Sequence, residues 1–326
     1  QSAVEEKRIG PVDRLSLVND SFAMSRAGFS DTSKTLELLV SYKKENNYTV
    51  WRDLATQLDD LDNILFGEEF YLKFQTYIQS IFADIVGKVG WIKKPRDGHL
   101  DSLLRELVLA QSGKYGNRSV IEVSRIRFGE LVQGKFLDPD LRAMVYSLVA
   151  RNGDEKDFES LMELYKRASF QEEKNRLGAA LCQFRQPRSI KRALRFILSN
   201  KVRDQDIPLF LAVSAGNNYA RGLIWQFIKD NWKLIYSKYF GGHLLGRIIT
   251  ETTSDFNTNE MAQDIFRFFK KNKVPGMERT IAQALERIKS NAAWKKVAIN
   301  SLRNFFSFGK IKIPPRLSHP RRRLCP

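Results

Sequence analysis

Residues 275–289, PGMERTIAQALERIK, place Ile281, Leu285 and Ile288 at i, i+4 and i+7 behind a Pro-Gly break, with charged and polar residues between them. That spacing gathers the three apolar side chains on one stripe of a 3.6-residue helix and leaves the charges to solvent. The pattern recurs upstream. Leu15, Val18 and Phe22 stand at i, i+3 and i+7, and Met261, Ile265, Phe268 and Phe269 at i, i+4, i+7 and i+8. No segment alternates convincingly with the period of a strand. Between the stripes fall breaks such as KYGN (114–117), LDPD (137–140), RNGD (151–154), RQPR (185–188) and KVPG (273–276). Asp or Asn in a break can accept the unpaired N–H groups of the next helix, and Gly or Pro can close the previous one.

This punctuation predicts an all-α chain of about sixteen or seventeen helices. At 326 residues and 43% hydrophobic, the chain is too long for a single compact bundle, which leaves one elongated array or two domains. Short helices with brief connections predict a superhelical α-solenoid of antiparallel helix pairs, HEAT- or armadillo-like. Its units are degenerate, because no strict repeat is visible. The inner face of such an array is concave, and serves either an extended partner or architecture alone. Residues 1–306 read as this domain. Residues 307–326, SFGKIKIPPRLSHPRRRLCP, read as a basic Pro/Arg-rich tail expected to be disordered.

The formal charge of +17 invites a phosphate backbone as partner. Six of those charges sit in 307–326, however, and the rest are interleaved with acids in segments such as DEKDFESLMELYKR (154–167), the pattern of solvated helix faces. Nucleic acid is therefore set aside. No apolar run approaches the ~18 residues of a membrane helix, so no membrane partner is expected. Two cysteines, Cys182 and Cys325, make no disulfide framework and suit a reducing compartment, the cytoplasm. The chain opens at Gln1 without a leader pattern, and reads as a fragment or processed product.

No complete active site is legible. A zinc peptidase helix needs two histidines four residues apart with a glutamate beside them, and His99, His243 and His319 cannot form that motif. A Walker loop and a G-x-S-x-G elbow are absent, and carboxylate pairs such as Asp59 and Asp60 carry no specificity. The conspicuous stretch FGGHLLGRIITE (240–251) follows no strand, so its glycines are not a dinucleotide fingerprint. It reads as a Gly-Gly break feeding a helix that packs through Leu244, Leu245 and Ile248.

Five segments resemble a known family in order and spacing: PVDRLSLVNDSFAMSRAG (11–28), NNYTVWRDLATQL (46–58), QEEKNRLGAAL (171–181), WQFIKDNW (225–232) and ERTIAQALERIKSNAAW (278–294). Together they resemble the C-terminal HEAT-like helical region of the puromycin-sensitive type within the aminopeptidase N family of gluzincin zinc metallopeptidases. The resemblance runs from about residue 8 to about residue 305. It implies that the intact enzyme removes N-terminal residues from peptides, with zinc polarising the scissile carbonyl and a motif glutamate taking a proton from bound water. The family's HExxH helix and its GAMEN-type loop have no counterpart here, so this chain is expected to hold no cofactor and to be inactive alone, the zinc belonging to the parent enzyme.

The resemblance further implies that this region caps the catalytic domain of the same protein and helps enclose a chamber for peptide substrates. Arg247 corresponds to a channel-lining arginine that can attract a peptide carboxylate or carbonyl; the alternatives are an interdomain salt bridge or a solvated arginine. Phe240 and Tyr239 stand as candidates for the same wall, against a core role for both. Trp51, Trp225, Trp232 and Trp294 read as core anchors. The alternative function is a stand-alone α-solenoid scaffold that binds peptides or proteins without hydrolysis. A basic solenoid that binds nucleic acid is a lesser possibility, carried by charge alone.

Overall fold

The computed structural model describes residues 1–307, and every regular element among them is helical. The first third holds α1 (Ser2–Glu5), α2 (Pro11–Arg26), α3 (Thr32–Leu39), α4 (Tyr48–Leu65), α5 (Tyr71–Val89) and α6 (His99–Lys114). The middle holds α7 (Arg118–Val132), α8 (Pro139–Asn152), α9 (Glu155–Arg167), α10 (Gln171–Leu181), α11 (Pro187–Ile197) and α12 (Ile207–Ala215). The last third holds α13 (Arg221–Asp230), α14 (Trp232–Tyr239), α15 (His243–Thr253), α16 (Asn259–Lys271) and α17 (Glu278–Ser307). Of the tail 307–326, residues 308–326 lie outside the described residues.

The breaks act through local chemistry. In KYGN, Gly116 takes a left-handed φ of 91° after α6, and the Asn117 side chain then accepts the Val120 N–H at 3.2 Å to open α7. In RNGD, Asp154 accepts the Lys156 and Asp157 N–H groups while Asp157 accepts the Asp154 N–H, a reciprocal cap on α9.

Alternate helices form an inner layer. α4 packs on α6, α6 on α8, α8 on α10, α10 on α12, α12 on α15 and α15 on α17, while α5, α7, α9, α11 and α16 lie against this series. The structure brings the two ends of the array together. α17 packs against α15 and α16 at one end and against α2, α3 and α4 at the other. Its Trp294 indole N–H donates to Ser25 Oγ at 3.2 Å beneath the Arg26 guanidinium, and Asn291 Nδ2 donates to the carbonyls of Ser254 (2.9 Å) and Phe256 (3.1 Å). Asn63 donates to the Asp255 carbonyl, and Asn257 to that of Asn63, across the same junction.

Two apolar cores fill the layers, one joining α1–α6 with the C-terminal half of α17, the other running from α6 to α17. All four tryptophans read as anchors are buried. Gly178 in LGAAL permits the closest approach, since a Cβ there would lie 2.2 Å from the Phe210 ring of α12.

Candidate functional site

Where α4, α6 and α8 meet the segments after α12 and α15, side chains surround a cavity of about 320 Å³. The TQLDDLDN run explains its acidic wall: Leu58, Leu61 and Ile64 are buried in the core, and the intervening Asp59, Asp60 and Asp62 line the opening. Part of this charge is matched. Lys114 Nζ lies 2.7 Å from Asp59 Oδ1 and 3.5 Å from Asp62 Oδ2. Burial alone would lower the Lys114 pKa, but Asp59 and Asp62 outweigh it and hold the ammonium charged above its ordinary range. Asp62 also accepts from the Tyr71 hydroxyl (2.6 Å) and Asn218 Nδ2 (3.2 Å). Asp60 faces Arg26 at 2.6 Å and Arg287 at 3.4 Å.

The remaining charge is not matched. Arg151 on α8 makes no hydrogen bond or ion pair from its guanidinium to any described residue, and burial followed by repulsion from Arg185 lowers its pKa. Among the described residues Arg221, at the start of α13, hydrogen-bonds only Asn218 and its buried Nε has no partner; burial again lowers its pKa. Across the cavity the Asp255 carboxylate accepts no hydrogen bond from a described residue; burial raises its pKa against the pull of Arg221 and Arg287. A smaller recess of about 20 Å³ adjoins, sharing Asp62, Lys114, Arg151 and Asn218, and adds Arg185 stacked over the Tyr219 ring.

The three residues singled out by sequence lie elsewhere. Arg247 is exposed on α15, without an ion pair among the described residues, and Leu245, Ile248 and Ile249 fill the buried side of that helix. Phe240 is exposed beyond the end of α14 and rests on Tyr236, ring centroids 5.1 Å apart. Tyr239 is buried, its hydroxyl donating to the Asp204 carbonyl at 2.6 Å. None of them lines the cavity. Gly241 takes a φ of 77° and α15 begins at His243, so the Gly-Gly pair is a helix junction.

No motif in the sequence marks Arg151, Arg185 or Arg221 as cavity residues: the first two lie within RNGD and RQPR, which carry the signature of helix breaks. One local signal was available: Ser147 and Arg151 stand at i, i+4 on α8 and both line the cavity.

No group of three or more His, Cys, Asp or Glu among the described residues could hold a metal ion. His99 and His243 open two separate helices, and His319 lies outside the described residues. The donor set therefore does not fit a catalytic zinc.

A profile of the ERAP1-like C-terminal domain family matches residues 1–290. The chain belongs to that family, as the C-terminal domain of an aminopeptidase N family member. It is 29% identical to aminopeptidase M1 of Arabidopsis thaliana over 302 residues, which is 90% of this chain and 34% of that protein. It is 30% identical to aminopeptidase M1-A of Oryza sativa subsp. japonica over 302 residues, with the same shares. With human glutamyl aminopeptidase the identity is 27% over 310 residues, 93% of this chain and 32% of that protein. The chain spans about a third of the length of these relatives. Among the described residues no helix is long and apolar enough to cross a membrane.

Proposed function

We propose that the chain is the non-catalytic cap of a zinc-dependent aminopeptidase that removes N-terminal residues from peptides. The observation that carries this reading is one of proportion: relatives named as aminopeptidases align with about nine-tenths of this chain but only a third of themselves. Residues 1–306 act as one unit against the catalytic domain of the same protein, and the zinc belongs to that domain. The closed circuit of inner helices supports a cap that holds its shape while enclosing a peptide chamber.

Within this reading Arg247 attracts a carbonyl or carboxylate of the substrate beyond the bond being cleaved; its exposure and lack of a local counterion support that role. Phe240 offers an exposed apolar surface at the junction before α15, and Tyr239 holds that junction through Asp204. Cys182 is buried with its thiol pushed up to about 12, which suits a structural thiol in a reducing compartment such as the cytoplasm.

The test is turnover of aminoacyl fluorogenic substrates by this chain alone and by the chain joined to a catalytic portion. The reading predicts none for the former and zinc-dependent hydrolysis for the latter. Hydrolysis by the isolated chain, or tight peptide capture by it with no activity in the joined protein, would overturn it in favour of another enzyme or a stand-alone scaffold.

A further inference from the structure

Charge is divided unevenly along the chain. Residues 1–184 hold 26 Lys and Arg against 28 Asp and Glu, so acids and bases interleave there as they do on solvated helix faces. Residues 185–307 hold 22 against 9. The positive excess of residues 1–307 therefore arises entirely from the α10–α11 connection onward, where the interleaving fails. The outer helices gather it. On α11, Arg188, Lys191 and Arg195 are exposed at i, i+3 and i+7, while Ile190, Ala193 and Leu194 are buried on the other side. α14 exposes Lys233, and α16 exposes Arg267, Lys270 and Lys271.

These helices are neighbours. α13 packs against both α11 and α14, and the rings of Trp225 on α13 and Trp232 on α14 meet Phe268 of α16 edge-on, with centroids 5.2 and 5.5 Å away. Neither α11 nor α14 contains an acid, and on α16 Asp264 is taken by Lys229 and the Trp225 indole N–H. Lys191, Arg195, Lys233, Arg267, Lys270 and Lys271 have no carboxylate within 4.0 Å among the described residues. The patch ends at α9, whose Glu155 and Glu159 take Arg192 of α11. Two large apolar side chains stand among the free cations: Leu234, 47% exposed next to Lys233, and Phe266, 52% exposed next to Arg267. An exposed Leu or Phe alone signifies nothing. Set beside unpaired cations, they supply what a lipid surface takes from a protein, charge for the headgroups and an apolar chain for the acyl boundary.

We propose that the outer face of α11, α14 and α16 docks on the surface of a bilayer containing anionic lipid. The lack of a spanning helix is no obstacle, because such a contact lies in the plane of the headgroups. A nucleic acid would use the cations but leave Leu234 and Phe266 idle. A single strand would also need exposed rings to stack on, whereas Trp225, Trp232, Phe268 and Phe269 pack on one another. The face needs neither the cavity nor a catalytic domain, so it stands or falls separately from the aminopeptidase reading.

The experiment is co-sedimentation of the full chain with phosphatidylcholine vesicles made with and without phosphatidylserine, and in parallel its binding to duplex DNA and to polyglutamate. Binding to the anionic vesicles should be at least about tenfold tighter than to the neutral ones, and should weaken as salt is raised. Changing Lys191, Arg195, Lys270 and Lys271 together to Gln should cost about a hundredfold or more on anionic vesicles. The charge-matched change of Arg316, Arg321, Arg322 and Arg323 to Gln, which leaves the face intact, should cost less. Leu234→Ser with Phe266→Ser should cost about tenfold on vesicles and nothing on DNA or polyglutamate. Melting temperatures should stay at the parent value throughout, since every substituted residue of the face is exposed; if the fourfold variant melts early, Lys233→Gln with Arg267→Gln replaces it, with about a tenfold loss expected. Equal binding to neutral and anionic vesicles overturns the proposal, as does tighter binding to DNA or polyglutamate than to vesicles. A loss from the tail substitutions as large as that from the face also overturns it.

Discussion

Two arginines, the buried Arg14 and the half-buried Arg151, obey opposite rules. Arg14 on α2 is bonded to both Glu45 oxygens (2.6 and 3.1 Å) and to the Ile9 carbonyl. Glu45 in turn accepts the Asn46 and Asn47 N–H groups, and its own carbonyl takes the Trp51 indole N–H. Arg151 has none of this, and looks across the cavity at charges already engaged with others. A buried ion with a partner for each guanidinium nitrogen ties a fold together; a half-exposed ion without one adds no such tie.

The largest effect expected from breaking the matched side is that of Glu45→Gln. It leaves the Arg14 guanidinium buried without its counter-charge, a loss of about 3–5 kcal/mol in urea unfolding. The pH dependence should change with it. Burial pushes the Glu45 carboxyl up, but the Arg14 hydrogen bond and the Asn47 and Asn46 amides hold it below its ordinary 4.5. Its folded pKa is thus depressed, so its contribution is full above the ordinary value and disappears as pH falls through the folded one. The variant should therefore show a shallower loss of stability below pH 4.5 than the parent.

Next comes the ring closure. Asn291→Ala removes two buried hydrogen bonds and leaves the Ser254 and Phe256 carbonyls unpaired, a loss of about 1–3 kcal/mol. If the junction is a seam, hydrogen exchange should quicken in the 254–257 segment and in the Asn63 region of α4 together; a change in only one of them argues against closure there.

The smallest effect belongs to Arg247→Ala, within about 0.5 kcal/mol in stability because the side chain is exposed and unpaired. In a complete enzyme it should raise KM for longer peptides more than for aminoacyl dyes. Equal changes for both would leave Arg247 without a substrate contact.

The helices were legible because each carries its own stripe and caps, as in PGMERTIAQALERIK and RNGD. The closure was not. A stripe says which side of a helix is buried and nothing about the partner, and Trp294 meets Ser25 across 269 residues. The cavity was hidden for a related reason. Arg151, Arg185 and Arg221 are ordinary residues in helix-terminal sequences, and their lack of partners exists only once Asp59, Asp60 and Asp62 have been claimed by Lys114, Arg26 and Arg287. Arg247, by contrast, drew notice through a resemblance, and its surroundings contain no described counterion.

The most direct test sets Arg14→Met beside Arg151→Met in urea unfolding of the same chain. Matched against unmatched charge predicts a loss of about 3–5 kcal/mol for the first, which strands the Glu45 carboxylate, and no loss for the second, which removes an uncompensated cation. Equal losses from the two substitutions would contradict the account, placing Arg151 among the structural charges.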